Sequence, residues 1–95
     1  MKTIPYDPLE GLDTPARQAE YLEIAFETGD PSLIAAAIGD VSRAKGITDI
    51  AKETGLTRRG LYKSLTDGGN PTIQTVAAVL KTMGLRLSVQ TADRA

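Results

Sequence analysis

The chain has 95 residues, of which 41% are hydrophobic and 24% charged, and this balance predicts one globular domain with a modest core. It contains neither cysteine nor histidine, which excludes disulfides, thiol or imidazole catalysis and most zinc sites. We therefore expect no enzyme, no metal and no cofactor. No apolar stretch follows Met1-Lys2, so we expect no signal peptide, no membrane span and a cytoplasmic location.

The net charge of −1 conceals two halves of opposite sign. Up to Asp40 the chain has two basic and eight acidic residues, a balance of −6. From Val41 onward it has nine basic and four acidic residues, a balance of +5. Opposed halves fit two partners of opposite charge, although an uneven spread of surface charge gives the same pattern.

The first part of the chain predicts an extended arm and two helices. The arm is Met1 to Leu12, which holds two prolines and no sustained periodicity. Thr14-Pro15 and Asp30-Pro31 each combine a capping residue with proline at the first helical position, and Gly29 and Gly46 end the two helices. The apolar residues that we expect to face the core are Tyr21, Leu22, Ala25 and Phe26 in the first helix and Leu33, Ile34, Ala37, Ile38 and Val41 in the second.

Three further helices follow. We expect Thr48 to cap a short helix that ends at Gly55, Thr57 to cap the next, and Thr72 to open a last helix that Gly84 ends. Residues 67–71 are dense in turn formers and predict a loop. The inward residues expected in these helices are Ile50 and Ala51, then Leu61 and Leu65, then Ile73, Val76, Ala77, Leu80 and Met83.

The end of the chain alternates between apolar and polar residues from Leu85 to Gln90, which predicts a half-buried strand. A single strand leaves its backbone groups unpaired, so we expect it to pair with a second chain or with the arm around Thr3 to Tyr6. The resulting fold class is all-α, with five helices and a short C-terminal strand. We divide the chain into an arm and first helix (1–30), a helical domain (31–84) and a strand and tail (85–95).

The strongest functional signal is the stretch from Ile47 to Thr66, which has the pattern of a helix-turn-helix. Ala51 supplies a small residue where two helices cross, and Gly55 supplies a turn residue that tolerates a left-handed backbone. Apolar residues that clamp the two helices together are Ile50, Leu56, Leu61 and Leu65. The alternative is a plain helical hairpin without a nucleic-acid partner.

The polar residues of the second short helix favour the DNA-binding alternative. Arg58 and Arg59 lie in its first turn, where cations oppose the helix dipole unless a polyanion faces them. We expect one of them to read a base and Lys63 to contact phosphate, with Tyr62 beside it. Lys63 can equally be an ordinary solvated lysine, and Tyr62 can equally pack against a neighbouring helix. Thr57, at the start of the same helix, is a further candidate for DNA contact. Weaker candidates, more typical of caps and turns, are Thr48, Asn70 and Thr72.

The run from Tyr21 to Val89 contains Phe26-Glu27-Thr28-Gly29-Asp30-Pro31 and the more distinctive motifs Leu61-Tyr62-Lys63, Gly69-Asn70-Pro71-Thr72 and Gly84-Leu85. In these motifs it resembles the small antidote proteins of bacterial addiction modules, antitoxins with a phage-repressor-like domain of the Xre or Cro type, related to the HigA group. Gly60 and Ser64 depart from the residues usual in that family, which puts the DNA sequence recognised in doubt rather than the fold.

The resemblance implies a repressor-like helix-turn-helix domain in an antitoxin that neutralises a RelE/ParE-like toxin and represses its own operon as a homodimer on a double-stranded DNA operator. The acidic N-terminal half suits a basic toxin, and we expect Glu20, Glu23 and Glu27 to contact it. Two alternatives stay open: a stand-alone phage-type repressor, and an interaction module that does not bind DNA.

Overall fold

The computed structural model describes residues 11–92, and this range contains five α-helices and no strand. The helices are α1 (Pro15–Thr28), α2 (Pro31–Lys45), α3 (Ile47–Thr54), α4 (Arg58–Ser64) and α5 (Ile73–Thr82). The predicted all-α class and number of helices are confirmed. Most of the predicted arm, including Thr3 to Tyr6, lies outside the described residues. Within the described range, no helix has the length and apolar character needed to cross a membrane.

Four of the five helices begin at the side-chain caps that the sequence predicts. Thr14 and Asp30 each accept an N–H group from the first turn of the helix that follows and precede a proline at its first position. Thr57 and Thr72 accept first-turn N–H groups in the same way, both at 3.0 Å. Each cap satisfies a donor that the helix itself leaves unpaired, which contributes about 0.5–2 kcal/mol.

The start of α3 differs from the prediction that Thr48 caps it. The helix begins at Ile47, its N-cap position is Gly46, and no side chain caps it. Gly46 also ends α2, so one residue joins the two helices and no position is left for a capping threonine. The carbonyl of Gly46 already accepts the N–H of Ile50 at 3.1 Å. Thr48 therefore lies inside the first turn, where it is exposed.

The core forms where α2 and α3 meet the other helices. α2 packs against α1, α3 and α4, while α3 packs against α2, α4 and α5. The low aromatic content leaves aliphatic side chains to fill this space, and their burial supplies the main stabilising free energy. The buried side chains that form this core cluster are Leu12, Leu22, Ala37, Ile38, Val41, Ile47, Ile50, Leu61, Leu65, Val76, Val79, Leu80 and Met83.

The buried faces of α2 and α5 differ in part from the predicted ones. Leu33, expected in the core, is 48% exposed, and Ile73 is 74% exposed. Ala77 is also exposed, whereas Val79, which was not predicted, is fully buried. The apolar residues of α5 form two overlapping stripes with helical spacing, one that begins at Ile73 and one that begins at Val76. The packing of α3 against α5 determines which stripe is buried.

The crossing of α2 and α4 depends on Gly39. A Cβ atom added to this buried glycine would lie 2.0 Å from the carbonyl oxygen of Leu65, the residue that ends α4. No side chain can occupy that space, so the two backbones approach more closely than any other residue would permit. The sequence prediction assigned close approach to Ala51 and did not recognise Gly39.

Polar contacts attach the segment before α1 to α1, and α1 to α2. The buried side chain of Gln18 donates to the carbonyl of Leu12 at 3.1 Å, which places Leu12 in the core rather than in an extended arm. The hydroxyl of Tyr21 donates to one carboxylate oxygen of Asp40 at 2.6 Å, and Arg43 donates to the other at 2.8 Å. Tyr21 therefore contributes a hydrogen bond to α2 as well as apolar contact.

The C-terminal end of α5 holds the following segment against the core. The N–H of Gly84 donates to the carbonyl of Lys81 at 3.1 Å, and the N–H of Leu85 donates to that of Leu80 at 2.9 Å. This pair of bonds is a Schellman motif, which places Leu85 against the buried side chains.

The strand predicted over Leu85 to Gln90 is not formed in the single chain. Residues 85–92 have no regular secondary structure, because a strand requires a neighbour and no described backbone pairs with this segment. The predicted half-burial also ends early, since Leu87 is 38% and Val89 98% exposed.

Candidate nucleic-acid interface

Helices α3 and α4 form a compact pair joined by the three residues 55–57. Gly55 has φ 78° and ψ 5°, a left-handed conformation, and its N–H donates to the carbonyl of Ala51 at 2.9 Å. The hydroxyl of Thr54 donates to the carbonyl of Ile50 at 2.8 Å and accepts the N–H of Leu56 at 3.2 Å. These bonds determine the direction in which α4 leaves the turn, and they confirm the predicted role of Gly55.

The inner faces of this pair are fully covered. Ile50, Leu61 and Leu65 are each no more than 1% exposed, and Leu56 is partly buried against the same cluster. Because Leu61 and Leu65 are four residues apart, they lie on one face of α4 and orient its other face outward. The predicted apolar clamp is confirmed, and it packs α4 against α3 and α2.

The outward face of α4 carries three cations and a tyrosine. Arg58, Arg59 and Lys63 are exposed, and Tyr62 is 47% exposed. Arg59 and Lys63 are four residues apart, as are Arg58 and Tyr62, so the four side chains share a continuous surface. We call these four residues the α4 basic face.

The cations of the α4 basic face have no acidic partner within the described chain. The ion pair of residues 11–92 is Arg43 with Asp40, and it lies on α2. No acidic residue occupies the first turn of α4, so Arg58 and Arg59 oppose the positive end of the helix dipole without compensation. A polyanion placed against this face would remove that cost.

The remaining predicted DNA contacts surround the pair with differing roles. Thr48 and Asn70 are exposed. The hydroxyl groups of Thr57 and Thr72 are already used as helix caps, so their capacity for a phosphate is reduced. Lys52, near the end of α3, is a further exposed cation that the sequence prediction did not single out.

A second charged surface lies on α1. Glu20, Glu23 and Glu27 are all exposed, and none forms an ion pair with a described residue. Ile24, 65% exposed, lies between Glu20 and Glu27 on one face of the helix. Glu23 instead borders a groove of about 250 Å³ that α1 forms with residues 85–90. In the described part of the chain, no three acidic side chains come together in a way that could hold a metal ion.

Comparisons with known proteins place most of the sequence in one family. The model of a family described as "probable addiction module antidote protein" matches residues 2–91. A protein of Haemophilus influenzae, described as uncharacterized, is 38% identical to this chain over 85 residues, which are 90% of this chain and 88% of that protein. No solved structure matches the chain.

Proposed function

Because the chain belongs to the family of probable addiction module antidote proteins, we propose that it is an antitoxin that represses its own operon through the α4 basic face. The resemblance expected from the sequence is thereby confirmed at the level of an antidote with a cognate toxin. The DNA-binding part rests on Arg58 and Arg59, whose positive charges have no acidic partner among the described residues. Both lie at the exposed start of α4, and the inner face of that helix is buried in the core.

The proposed binding mode is that of a phage-repressor-like helix-turn-helix. α4 enters the major groove and α3 lies across the backbone. Arg58 or Arg59 takes guanine O6 and N7 together, Lys63 and Lys52 contact phosphates, and Tyr62 packs along the sugar edge. Thr48, Thr57, Asn70 and Thr72 flank these contacts. The protein acts as a homodimer, because one short helix buries too little surface for tight specific binding. We place the protein in the cytoplasm, and neither toxin neutralisation nor repression requires it to catalyse a reaction.

The DNA-binding proposal predicts a strong dependence on salt. Four exposed cations on α3 and α4 of each protomer would release about eight counterions when a dimer binds, which gives a slope of roughly −6 to −8 in a plot of log affinity against log salt. Electrophoretic mobility shift on the promoter of the operon, from low to physiological salt, measures this slope. A scrambled duplex of equal length is the control. Affinity independent of salt would leave only the interaction-module alternative, and equal affinity for both duplexes would contradict repression of a specific operon.

The toxin-binding part of the proposal assigns α1 to a basic toxin of the RelE/ParE-like class. Ile24 is exposed and flanked by carboxylates. It offers a partner an apolar contact surrounded by negative charge, which suits a partner whose own surface is basic. Glu20 and Glu27 flank Ile24 directly, while Glu23 lies at the groove edge.

We expect the double variant Glu20→Gln with Glu27→Gln to associate with the toxin about ten-fold more slowly at low salt, because electrostatic steering is lost. Surface-immobilised toxin, the product of the adjacent gene, gives this association rate. The matched control is Asp49→Asn with Glu53→Gln, which removes two exposed carboxylates outside α1. If both double variants associate at the same rate, α1 is not the toxin-binding surface.

A further inference from the structure

The groove between α1 and the C-terminal segment is apolar inside and charged at its edge. Phe26, 36% exposed, and Leu87, 38% exposed, form its walls, and Leu80 lies at its base. Glu23 and Arg86 border it, and neither forms an ion pair within residues 11–92. The groove therefore presents one positive and one negative group around an apolar surface.

The segment that borders this groove has the pattern of a strand that has no partner among residues 11–92. Leu85, Leu87 and Val89 alternate with Arg86, Ser88 and Gln90, and Val89 is almost fully exposed. No backbone hydrogen bond from the described chain reaches residues 86–92. An alternating segment with free donors and acceptors is a template for pairing with another strand.

We propose that residues 85–90 pair in antiparallel fashion with the same residues of a second copy of this chain. The two-stranded ribbon would cover the apolar grooves of both copies. The expectation of a two-fold pair rests on the proposed function, since a palindromic operator requires two recognition helices related by such an axis.

Charge complementarity selects a second copy as the occupant. A two-fold interface brings the same patch of two molecules together, so the patch must complement itself. A groove bordered by one glutamate and one arginine does so, because Arg86 of each copy can approach Glu23 of the other. Glu27 borders the continuation of the groove along residues 88–92, so a second carboxylate is available to Arg86 of the other copy. Glu20 and Ile24 line neither part of the groove, so they stay available to a basic toxin.

The sequence of the segment also tolerates pairing with itself. Antiparallel registers centred on residue 87 or 88 place apolar side chains opposite apolar ones. In these registers Arg86 lies opposite Ser88 or Gln90 of the other copy, so no like charges face each other directly. An isolated ribbon of two short strands is only marginally stable, and the grooves supply the apolar surface on which it packs.

The test compares Val89→Asp with Ile73→Asp in the full chain, without DNA and without toxin. Both replace an exposed side chain, 98% and 74% exposed respectively, so neither disturbs the core. We expect sedimentation equilibrium to show a dimer for the wild type and for Ile73→Asp, and a dissociation constant at least about ten-fold higher for Val89→Asp. A monomeric wild type, or equal dissociation constants for the two variants, would overturn the proposal.

Cysteine variants test the strand pairing directly, because the chain contains no cysteine of its own. We expect Leu87→Cys or Ser88→Cys, according to which of these residues is the centre of the register, to form a disulfide-linked dimer under mild oxidation. The exposed α5 variant Gln74→Cys should remain largely without the crosslink. Crosslinking of both variants no greater than that of Gln74→Cys would refute pairing through residues 85–90. Neither measurement involves DNA, so the mobility shift on the promoter judges the proposed function separately.

Discussion

Arg58→Ala and Arg59→Ala are expected to weaken operator binding, and the variant that removes the base-reading side chain should lose about 1–3 kcal/mol, or roughly 5- to 150-fold in affinity. The other arginine contacts phosphate, and its loss should lower the affinity for every duplex by about the same factor. That factor should be smaller than the loss caused by removing the base-reading side chain. Mobility shift with the promoter and with duplexes substituted at single base pairs measures both quantities. Equal operator affinity in the two variants would remove the claim of base readout.

The same variants should not destabilise the free protein. Both guanidinium groups are exposed and oppose the dipole of α4, so alanine relieves about 0.3–1 kcal/mol of unfavourable interaction at each position. We therefore expect unchanged or slightly raised thermal stability together with the loss of DNA binding. Arg17→Ala is the matched control, since this exposed arginine lies on α1, away from both α4 and the groove beside residues 85–90. A fall in stability would instead indicate a structural role for the arginines.

The helix boundaries were the most predictable part of the fold, because their signals are local. Thr14, Asp30 and Thr57 cap helices through bonds that span two or three residues, and Gly55 ends one with a left-handed backbone. Such chemistry can be recognised from a few adjacent letters. Thr48 was misassigned because it also has the residue type of a cap, while the true boundary depends on how Gly46 joins two helices.

The burial of side chains was less predictable, since it depends on neighbours that are distant in sequence. In α5, the sets that begin with Ile73 and with Val76 both recur at helical spacing, and only the packing of α3 selects the second. In the same way, Leu33 extends the stripe of α2 beyond the area that other helices cover. The exposure of Arg58 and Arg59 was predictable because Leu61 and Leu65 fix the opposite face.

The C-terminal strand shows the limit of reasoning about one chain at a time. The alternation from Leu85 to Gln90 is present in the sequence, but a strand forms only when a second backbone lies beside it. The single chain holds Leu85 in place and leaves Val89 exposed. The prediction of pairing with a second chain thus stays a prediction, to be decided by the mass of the protein in solution.

Gly39→Ala is expected to destabilise the fold by about 1–3 kcal/mol or more, although alanine is normally the better helix former by about 1 kcal/mol. The added methyl group would lie 2.0 Å from the carbonyl oxygen of Leu65. The methyl group is fixed to the backbone of α2 and the oxygen belongs to the backbone of Leu65, so no flexible side chain can move aside. The helices must separate, which opens the cluster around Ile38 and Leu61. Thermal unfolding should show a melting temperature lower by roughly 4–24 °C.

Gly60→Ala is the matched control, because it is also a helical glycine whose added methyl meets only the hydroxyl of Thr57, at 3.0 Å. Its stability should stay within about 0.5 kcal/mol of the wild type. The contrast has a functional consequence, since Leu65 ends the helix that carries the basic face. Separation at Gly39 would displace α4 relative to α3, so operator affinity should fall even at temperatures where the variant is folded. A Gly39→Ala protein as stable as the wild type would contradict the close crossing of α2 and α4.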